Sequence, residues 1–356
     1  MPVCLKSVCF AISFFAITSY GAESEQASES SSNQLVVPVQ FDASNLAFYP
    51  KRWKEHGQEF DMLVWEGENV ALLTSPGEYD SKVIAGFVSR LDDGYRVYQD
   101  IIGVAPRPYK QYQEKATICA VKGPEILGAY ALGFVGYTGI EVSAFYRKDL
   151  PGYTENPNSF AHYYFYEMGR NHFVFGDRHS LFTTGYAVFM RYVCMDELKC
   201  EDADLKTRAT IEKCEQLFAD SELPFLDAFT NLASGEKSNR IQEGGVTVVP
   251  SDQPVMYATA MLKLRKDLGD PWVRRFYHLL RKCKPYPAKD AATAMPQCFN
   301  WLVCASAAAN KDLTSIFADR WRMPMTAAQR NVMQDTDWTD ETLTPASIVD
   351  LLISQL

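Results

Sequence analysis

Two neighbouring segments decide how this sequence is interpreted: His162-Tyr-Tyr-Phe-Tyr-Glu-Met-Gly-Arg-Asn-His172 and Phe182-Thr-Thr-Gly-Tyr-Ala-Val-Phe-Met-Arg191. Apolar side chains recur at helical spacing through both segments. The pattern predicts one helix from Phe160 to Phe173 and a second from Leu181 to Glu197. Two such helices in succession can bring polar side chains from both together at one place.

The first helix carries a stripe of polar and aromatic residues. At about 100° per residue, His162, Tyr166 and Arg170 lie on one face, with Glu167 beside them. Arg170 follows Glu167 by three positions, a spacing at which a guanidinium can contact a carboxylate on the same helix. These two residues are therefore the centre of a candidate site, although an ordinary surface pair has the same spacing.

Strand and helix patterns on both sides indicate the fold class. Three short apolar runs predict strands: Val70–Ser75, Ala116–Val121 and Gly139–Ser143. A helical period predicts a long helix from Ser81 to Ile102, ended by Gly103. Beyond residue 245 the patterns are mostly helical. We expect an α+β fold, with a mixed α+β domain over residues 35–244 and a helical C-terminal domain over residues 245–356.

The N-terminus has the pattern of an export signal. Lys6 precedes the apolar run Val8–Thr18, and small residues follow it, which predicts a signal peptide over residues 1–22. A buried strand or an uncleaved anchor would be the alternative. Residues 23–34 are rich in Ser, Glu and Gln and predict a disordered linker. The protein is therefore expected to be secreted or periplasmic.

Charge and hydropathy restrict the partners. The net charge is −9, which argues against nucleic acid or an anionic membrane as the main partner. No stretch after the predicted signal has the roughly 20 apolar residues that a membrane helix needs. We expect no membrane association once the signal is cleaved.

Cysteine usage fits an oxidising compartment. Seven cysteines follow the predicted signal: Cys119, Cys194, Cys200, Cys214, Cys283, Cys298 and Cys304. Because seven is odd, at least one thiol stays free or pairs elsewhere. We expect bridges within the 194–214 group and within the 283–304 group, with the connectivity open.

The two central segments resemble a metallopeptidase motif. Zinc peptidases place two His at i and i+4 on one helix, with a Glu after the first, and take a third ligand from a following helix. Tyr166-Glu-Met-Gly-Arg-Asn171 has the outline of a His-Glu-x-Gly-His-Asn segment, and Thr183-Thr-Gly-Tyr-Ala-Val188 is similar to the Glu-Gly-x-Ala-Asp segment that carries the third ligand. The chain resembles the gluzincins, nearest in layout to the secreted M60-like and plant basic-secretory-protein-like peptidases.

The resemblance extends over roughly residues 70 to 325. Tyr98-x-x-Ile-x-Gly103-x-x-Pro106 is similar to a helix end in that group, and Thr138–Ser143 is similar to the edge strand beside its peptide cleft. Lys263–Asp270 and Asp312–Trp321 are similar to its helical domain. The likeness implies a gluzincin-like domain, with a small mixed sheet and active-site helices, followed by a helical domain.

The metal-ligand positions depart from the pattern. Tyr166, Arg170 and Thr184 stand where the resemblance would place the two His and the Glu. Arg has no lone pair to offer zinc and would repel a dication. We expect no metal and no cofactor; zinc would be expected only if this alignment were wrong. His162 and His172 lie about 15 Å apart on one straight helix, too far to share an ion.

The leading interpretation is a pseudo-peptidase that lacks zinc and proteolytic activity. It would bind an extracellular peptide, glycoprotein or glycan in the inherited cleft, and Gly139–Ser143 would offer a strand edge for peptide pairing. The expected binding residues are His162, Tyr166, Arg170, Thr184 and Tyr186.

Two other functions stay open. In the first, Glu167 acts as the general base of an active hydrolase, with Arg170 stabilising an oxyanion and Tyr166 or Tyr186 assisting. In the second, the fold is only a structural or interaction module with no ligand in the cleft.

Overall fold

The first half of the described chain contains a small mixed sheet together with several helices. The computed structural model of the protein describes residues 38–176, 182–202, 205–230, 241–243, 246–248 and 253–356. The predicted signal peptide and linker lie outside these residues. Within the described part, the sheet strands are β1 (Val39–Asp42), β2 (Asp61–Glu66), β3 (Val70–Thr74), β4 (Gln111–Tyr112), β5 (Lys115–Ala120), β6 (Ala131–Gly133) and β7 (Ile140–Val142).

The strand order is β1-β2-β3-β5-β7-β6, and β4 pairs with β5. β3, β5 and β7 run parallel to one another, whereas β6 is antiparallel to β7. The prediction that Gly139–Ser143 lies at the edge of the sheet was wrong, because β7 has partners on both sides. The short hairpin before it places β6 at the edge instead.

Helices account for most of the remaining structure. They are α1 (Pro50–Glu55), α2 (Ser81–Ile102), α3 (Pro124–Leu127), α4 (Leu150–Glu155), α5 (His162–Asn171), α6 (Phe182–Glu197), α7 (Leu205–Ala219), α8 (Phe225–Thr230), α9 (Gln253–Leu268), α10 (Asp270–Leu280), α11 (Ala291–Ala309), α12 (Ala327–Asp335) and α13 (Pro345–Ile353). Short strand pairs also occur: β8 (Ser159–Phe160) with β9 (Glu201–Asp202), and β10 (Ile241–Glu243) with β11 (Val246–Val248). The α+β class is confirmed.

The long helix α2 has the predicted bounds because local chemistry fixes both of its ends. The Asp80 side chain accepts hydrogen bonds from the backbone N–H groups of Lys82 and Val83, which satisfies two free donors of the first turn. Gly103 ends the helix in the left-handed conformation, with φ 75°. The buried face of α2 packs on β3, α5 and α6.

Residues of the C-terminal half bind the C-terminal end of α2. Arg281, just after α10, donates a hydrogen bond to the Gly103 carbonyl oxygen, and Arg274 forms an ion pair with Asp100. Cationic side chains at this position also suit the negative end of the helix dipole. Helix α9 packs on α6 as well, so helices from both halves are in contact. The domain boundary near residue 245 stays a prediction.

Helix α5 begins two residues later than the sequence pattern predicts. Ser159 and Phe160 pair with the distant strand β9, so that Ala161 is the first residue before the helix. Helix α6 ends at Glu197 as predicted, and the predicted start at Leu181 lies outside the described residues. The two helices pack closely where Gly169 faces Ala187: a Cβ at 169 would lie 3.1 Å from the Ala187 Cα.

No helix within the described residues has the length and apolar character to cross a membrane. All seven cysteines after the predicted signal are free thiols. The Sγ atoms of Cys283 and Cys304 lie 3.5 Å apart. The predicted bridges stay predictions.

The contact between α2 and α5 leaves no space for a side chain at Gly94. A Cβ at Gly94 would lie 2.4 Å from the Phe165 ring, which is buried and cannot move away freely. We expect Gly94→Ala to lower the free energy of unfolding by about 1–3 kcal/mol through overpacking.

Gly152→Ala in α4 is the matched control, because nothing lies within 4 Å of its Cβ position. It should leave stability unchanged or raise it by up to about 1 kcal/mol, since alanine favours helix. Denaturant melts measure both. Equal stability of the two variants would contradict this account of α2 and α5.

Candidate functional site

Helix α5 brings Glu167 and Arg170 together at the edge of the sheet. The Arg170 Nε atom lies 3.6 Å from Glu167 Oε2, too far for a hydrogen bond but close enough for an ion pair. The carboxylate side chain is 6% exposed and the arginine side chain 32%. Neither of these two atoms has a hydrogen-bond partner. The pair is therefore held by Coulomb attraction, with the carboxylate buried and the guanidinium partly exposed to solvent.

Gly133 on β6 covers the carboxylate of Glu167. A Cβ at 133 would lie 2.9 Å from Glu167 Oε2 and 3.0 Å from its Cβ, so only glycine fits there without a shift. Burial raises the pKa of Glu167 from 4.5 to about 7, while Arg170 and a hydrogen bond from the Gly133 backbone N–H act in the opposite direction. The carboxyl group thus titrates near neutrality.

The register of the β6–β7 hairpin determines which backbone groups face outward. The Ser143 N–H donates to the Tyr130 carbonyl at 2.8 Å, so the pairs that contain Ala131 and Gly133 are the ones not hydrogen-bonded to β7. Their N–H and C=O groups point away from β7. Helix α5 packs on β6, and Ala131 is only 7% exposed, so this edge is largely covered by the protein itself.

An exposed tyrosine pair flanks this edge. Tyr130, just before β6, is 64% exposed and stacks on Tyr163 of α5 with ring centroids 6.0 Å apart. Lys148 lies over the Tyr130 ring, and Asp149 accepts hydrogen bonds from Tyr163 and from its neighbour Tyr164. Neither Tyr130 nor Tyr163 was predicted from the sequence as a site residue. No local pattern distinguishes this surface pair from core aromatics.

The other predicted binding residues have different environments. His162, Tyr166 and Thr184 are half-buried, and the His162 ring lies 5.9 Å from that of Tyr163. Tyr186 is fully buried, and its ring packs against aromatic rings of the core. The contacting rings are Phe173, Phe175 and Tyr277. The structure thus brings four of the six predicted site residues to α5, and it places Tyr186 away from solvent.

His172 ends α5 inside the core. Its ring stacks on Tyr98 and meets Tyr95 edge-on, and its Nδ1 lies 2.8 Å from the Met168 carbonyl oxygen. Burial lowers the pKa of His172 to about 4, so the ring is neutral at pH 7. His162 and His172 stand at opposite ends of α5. His179 lies outside the described residues.

The residues of this site do not fit zinc. Arg170 supplies no lone pair, and Tyr166 and Thr184 are not among the usual zinc donors. Across the described residues, no three or more His, Cys, Asp or Glu side chains converge in a way that could hold a metal ion.

A cavity of about 710 Å³ lies between α7 and α9, where most charged side chains already have partners. Arg208 and Arg265 both bind Asp196, and Arg320 binds Glu215 through two nitrogens. These contacts hold α6, α7 and α9 together.

Another cavity, of about 610 Å³, borders the C-terminal end of α5. It is lined by Arg107, Tyr137, Phe173 and Pro285–Pro287, among others. The Gly136 N–H, also at this cavity, donates to the Arg170 carbonyl oxygen, which links the cavity lining to the end of α5; the side chains of Glu167 and Arg170 do not line it.

Comparisons with known proteins give little further information. No family model matches the chain, and neither does any curated protein. Among solved structures, the chain is similar to a functionally unknown conserved protein, in a mutant form, from Bacillus anthracis str. Ames, with 12% identity and a TM-score of 0.48. The alignment covers 83% of this chain and 57% of that one, so the chain spans less than two thirds of that protein. A likeness this weak carries no argument.

The burial of Glu167 predicts a pH-dependent stability. Its pKa is about 7 in the folded state against 4.5 as the ordinary value, so the folded protein binds this proton more tightly. The resulting stabilisation is complete below pH 4.5 and is lost as the pH rises through 7. Glu167→Gln removes this loss, and we expect its stability relative to wild type to increase by about 2 kcal/mol between pH 5 and pH 8.

Denaturant melts at several pH values measure this difference. Arg170 is present beside position 167 in both proteins, and the other buried carboxyl with a raised pKa of about 7, Glu141 on β7, is retained in both. Its contribution therefore cancels in the comparison. A stability difference that is flat from pH 5 to pH 8 would contradict the buried titration of Glu167.

Proposed function

We propose that this chain is an exported, metallopeptidase-like protein that binds an extracellular peptide, glycoprotein or glycan without zinc chemistry. The observation that carries the proposal is the ion pair at the centre of the site. Arg170, at a position where the gluzincin resemblance requires a ligand, lies 3.6 Å from Glu167, the residue that would serve as the general base. A cation of the protein is thus paired with the carboxylate that a peptidase needs beside its metal.

The surface around this pair has features that suit binding. The stacked rings of Tyr130 and Tyr163 present a broad face, and aromatic faces of this kind bind both apolar side chains and sugar rings. Tyr166 and Arg170, on the same helix as Glu167, are half-buried and retain part of their surface for a ligand.

Hydrolysis by Glu167 is the second candidate function. A carboxyl pKa of about 7 is close to the ideal for a general base at neutral pH. Gly133, however, packs directly on this carboxylate, so a substrate would reach it only after β6 moved. A hydrolytic activity that Glu167→Gln abolishes would support this candidate, and equal rates in the two proteins would exclude it.

Metal content separates the proposal from zinc catalysis. After zinc loading and dialysis, we expect the purified protein to retain far less than one zinc per chain, because the ligand positions lack donors. Elemental analysis by mass spectrometry measures the ratio. A ratio near one that Arg170→Ala and Tyr166→Phe both retain would show that the zinc ligands lie elsewhere and that the alignment of this helix with the peptidase motif is wrong.

Binding itself is tested with a peptide library and a glycan array. We expect a ligand whose affinity for the protein falls at least tenfold in Tyr130→Ala and in Arg170→Ala, since these side chains flank the sheet edge. Tyr49→Ala is the matched control, because Tyr49 is 44% exposed and lies next to α1, which packs on the opposite face of the sheet. A ligand that all three variants bind like wild type would place the binding surface elsewhere.

A further inference from the structure

We propose that Cys283 and Cys304 are a redox-modification site and form a disulfide when the protein meets a small-molecule disulfide oxidant. Their sulfur atoms lie 3.5 Å apart in the core between α10 and α11. Cys304 is fully buried, whereas Cys283 retains 8% exposure and is the more accessible residue of the two. The inference does not depend on the function proposed above.

The positions of the two residues allow the bond to form with a small movement. Cys283 follows the last residue of α10, Leu280, by three positions, so it lies in a turn and not within a helix. Cys304 is in α11, which packs against α10. An S–S bond is about 2.0 Å long, so the sulfurs must approach by about 1.5 Å, a distance that side-chain rotation in the turn can supply.

Helix geometry favours Cys304, and not Cys298, as the partner of Cys283. Cys298 is six positions earlier on the same helix, which at about 100° per residue places it about 240° around the axis from Cys304. Cys298 is also fully buried. It faces away from Cys283 and should stay a thiol.

Two successive thiol–disulfide exchange steps form the bond. The Cys283 thiolate attacks one sulfur of the oxidant, forms a mixed disulfide and releases the first reduced thiol. The Cys304 thiol then loses its proton and attacks the Cys283 sulfur, which forms the intramolecular bond and releases the second reduced thiol. Two protein thiols are oxidised and one small-molecule disulfide is reduced. A hydrogen bond with Cys304 lowers the pKa of Cys283, which favours its thiolate as the first nucleophile.

The bond would fix one side of the cavity next to α5. The segment Cys283–Pro287 contributes its last three residues to the lining of that cavity. This segment is already held to α11 by hydrogen bonds, from Asn300 to the Lys284 carbonyl at 2.8 Å and from the Tyr286 N–H to Gln297 at 3.0 Å. A covalent link between its first residue and α11 would remove the remaining freedom of that wall.

Peptide mapping after treatment of the full chain with oxidised glutathione tests the proposal. Trypsin isolates Cys283 in residues 283–289 and leaves Cys298 and Cys304 together in residues 290–311; chymotrypsin then separates the latter two at Phe299 and Trp301. We expect a linked pair that contains Cys283 and Cys304 and has lost two hydrogen atoms. A link to Cys298, glutathione retained on Cys283, or two unmodified thiols would each overturn the proposal.

Thermal melts provide an independent readout that does not depend on a folded Cys304 variant. Oxidation should raise the Tm of wild type by a few degrees, because the bond closes a loop of about 20 residues in the unfolded chain. Cys298→Ser should retain this shift and Cys283→Ser should lose it. An equal shift in all three proteins, or none in wild type, would contradict the assigned pair.

Discussion

The close packing of helix α5 on three sides is the constraint on which the rest of the structure depends. Each contact is made possible by a glycine: Gly94 of α2 against Phe165, Gly133 of β6 against Glu167, and Gly169 of α5 against α6. A side chain at any of the three would separate two elements by more than a buried core tolerates, because interiors are packed to crystal-like density. The sheet, the long helix α2 and helix α6 therefore meet around a single short helix.

This packing also determines the chemistry of the candidate site. When a backbone strand comes within contact distance of a carboxylate, the carboxylate loses water and its charged form becomes costly. Arg170 offsets part of that cost from one side and the Gly133 N–H from the other. The cation is thus supplied by the same helix that carries the carboxylate.

Local sequence signals predicted those parts of the structure that local chemistry fixes. Helix α2 matched because its period, its Asp80 cap and Gly103 all lie within the segment itself. The start of α5 did not match, because Ser159 and Phe160 pair with a strand more than 40 positions later. The true sheet edge, β6, has only three residues and too little pattern to predict. The Tyr130–Tyr163 stack depends on how the hairpin meets α5, and no spacing in the sequence records that.

The closure of α2 by Arg281 has a consequence for the order of events during synthesis. The Gly103 carbonyl and the Arg281 side chain that caps it are 178 positions apart. At ribosomal speeds of roughly 5–20 residues per second, the end of α2 waits about 10–35 s for its partner to emerge. Throughout that interval the end of α2 lacks the contacts that residues of the C-terminal half make with it, and part of its apolar surface stays exposed. A translating cell would therefore need to hold this chain unaggregated until nearly all of it has been made.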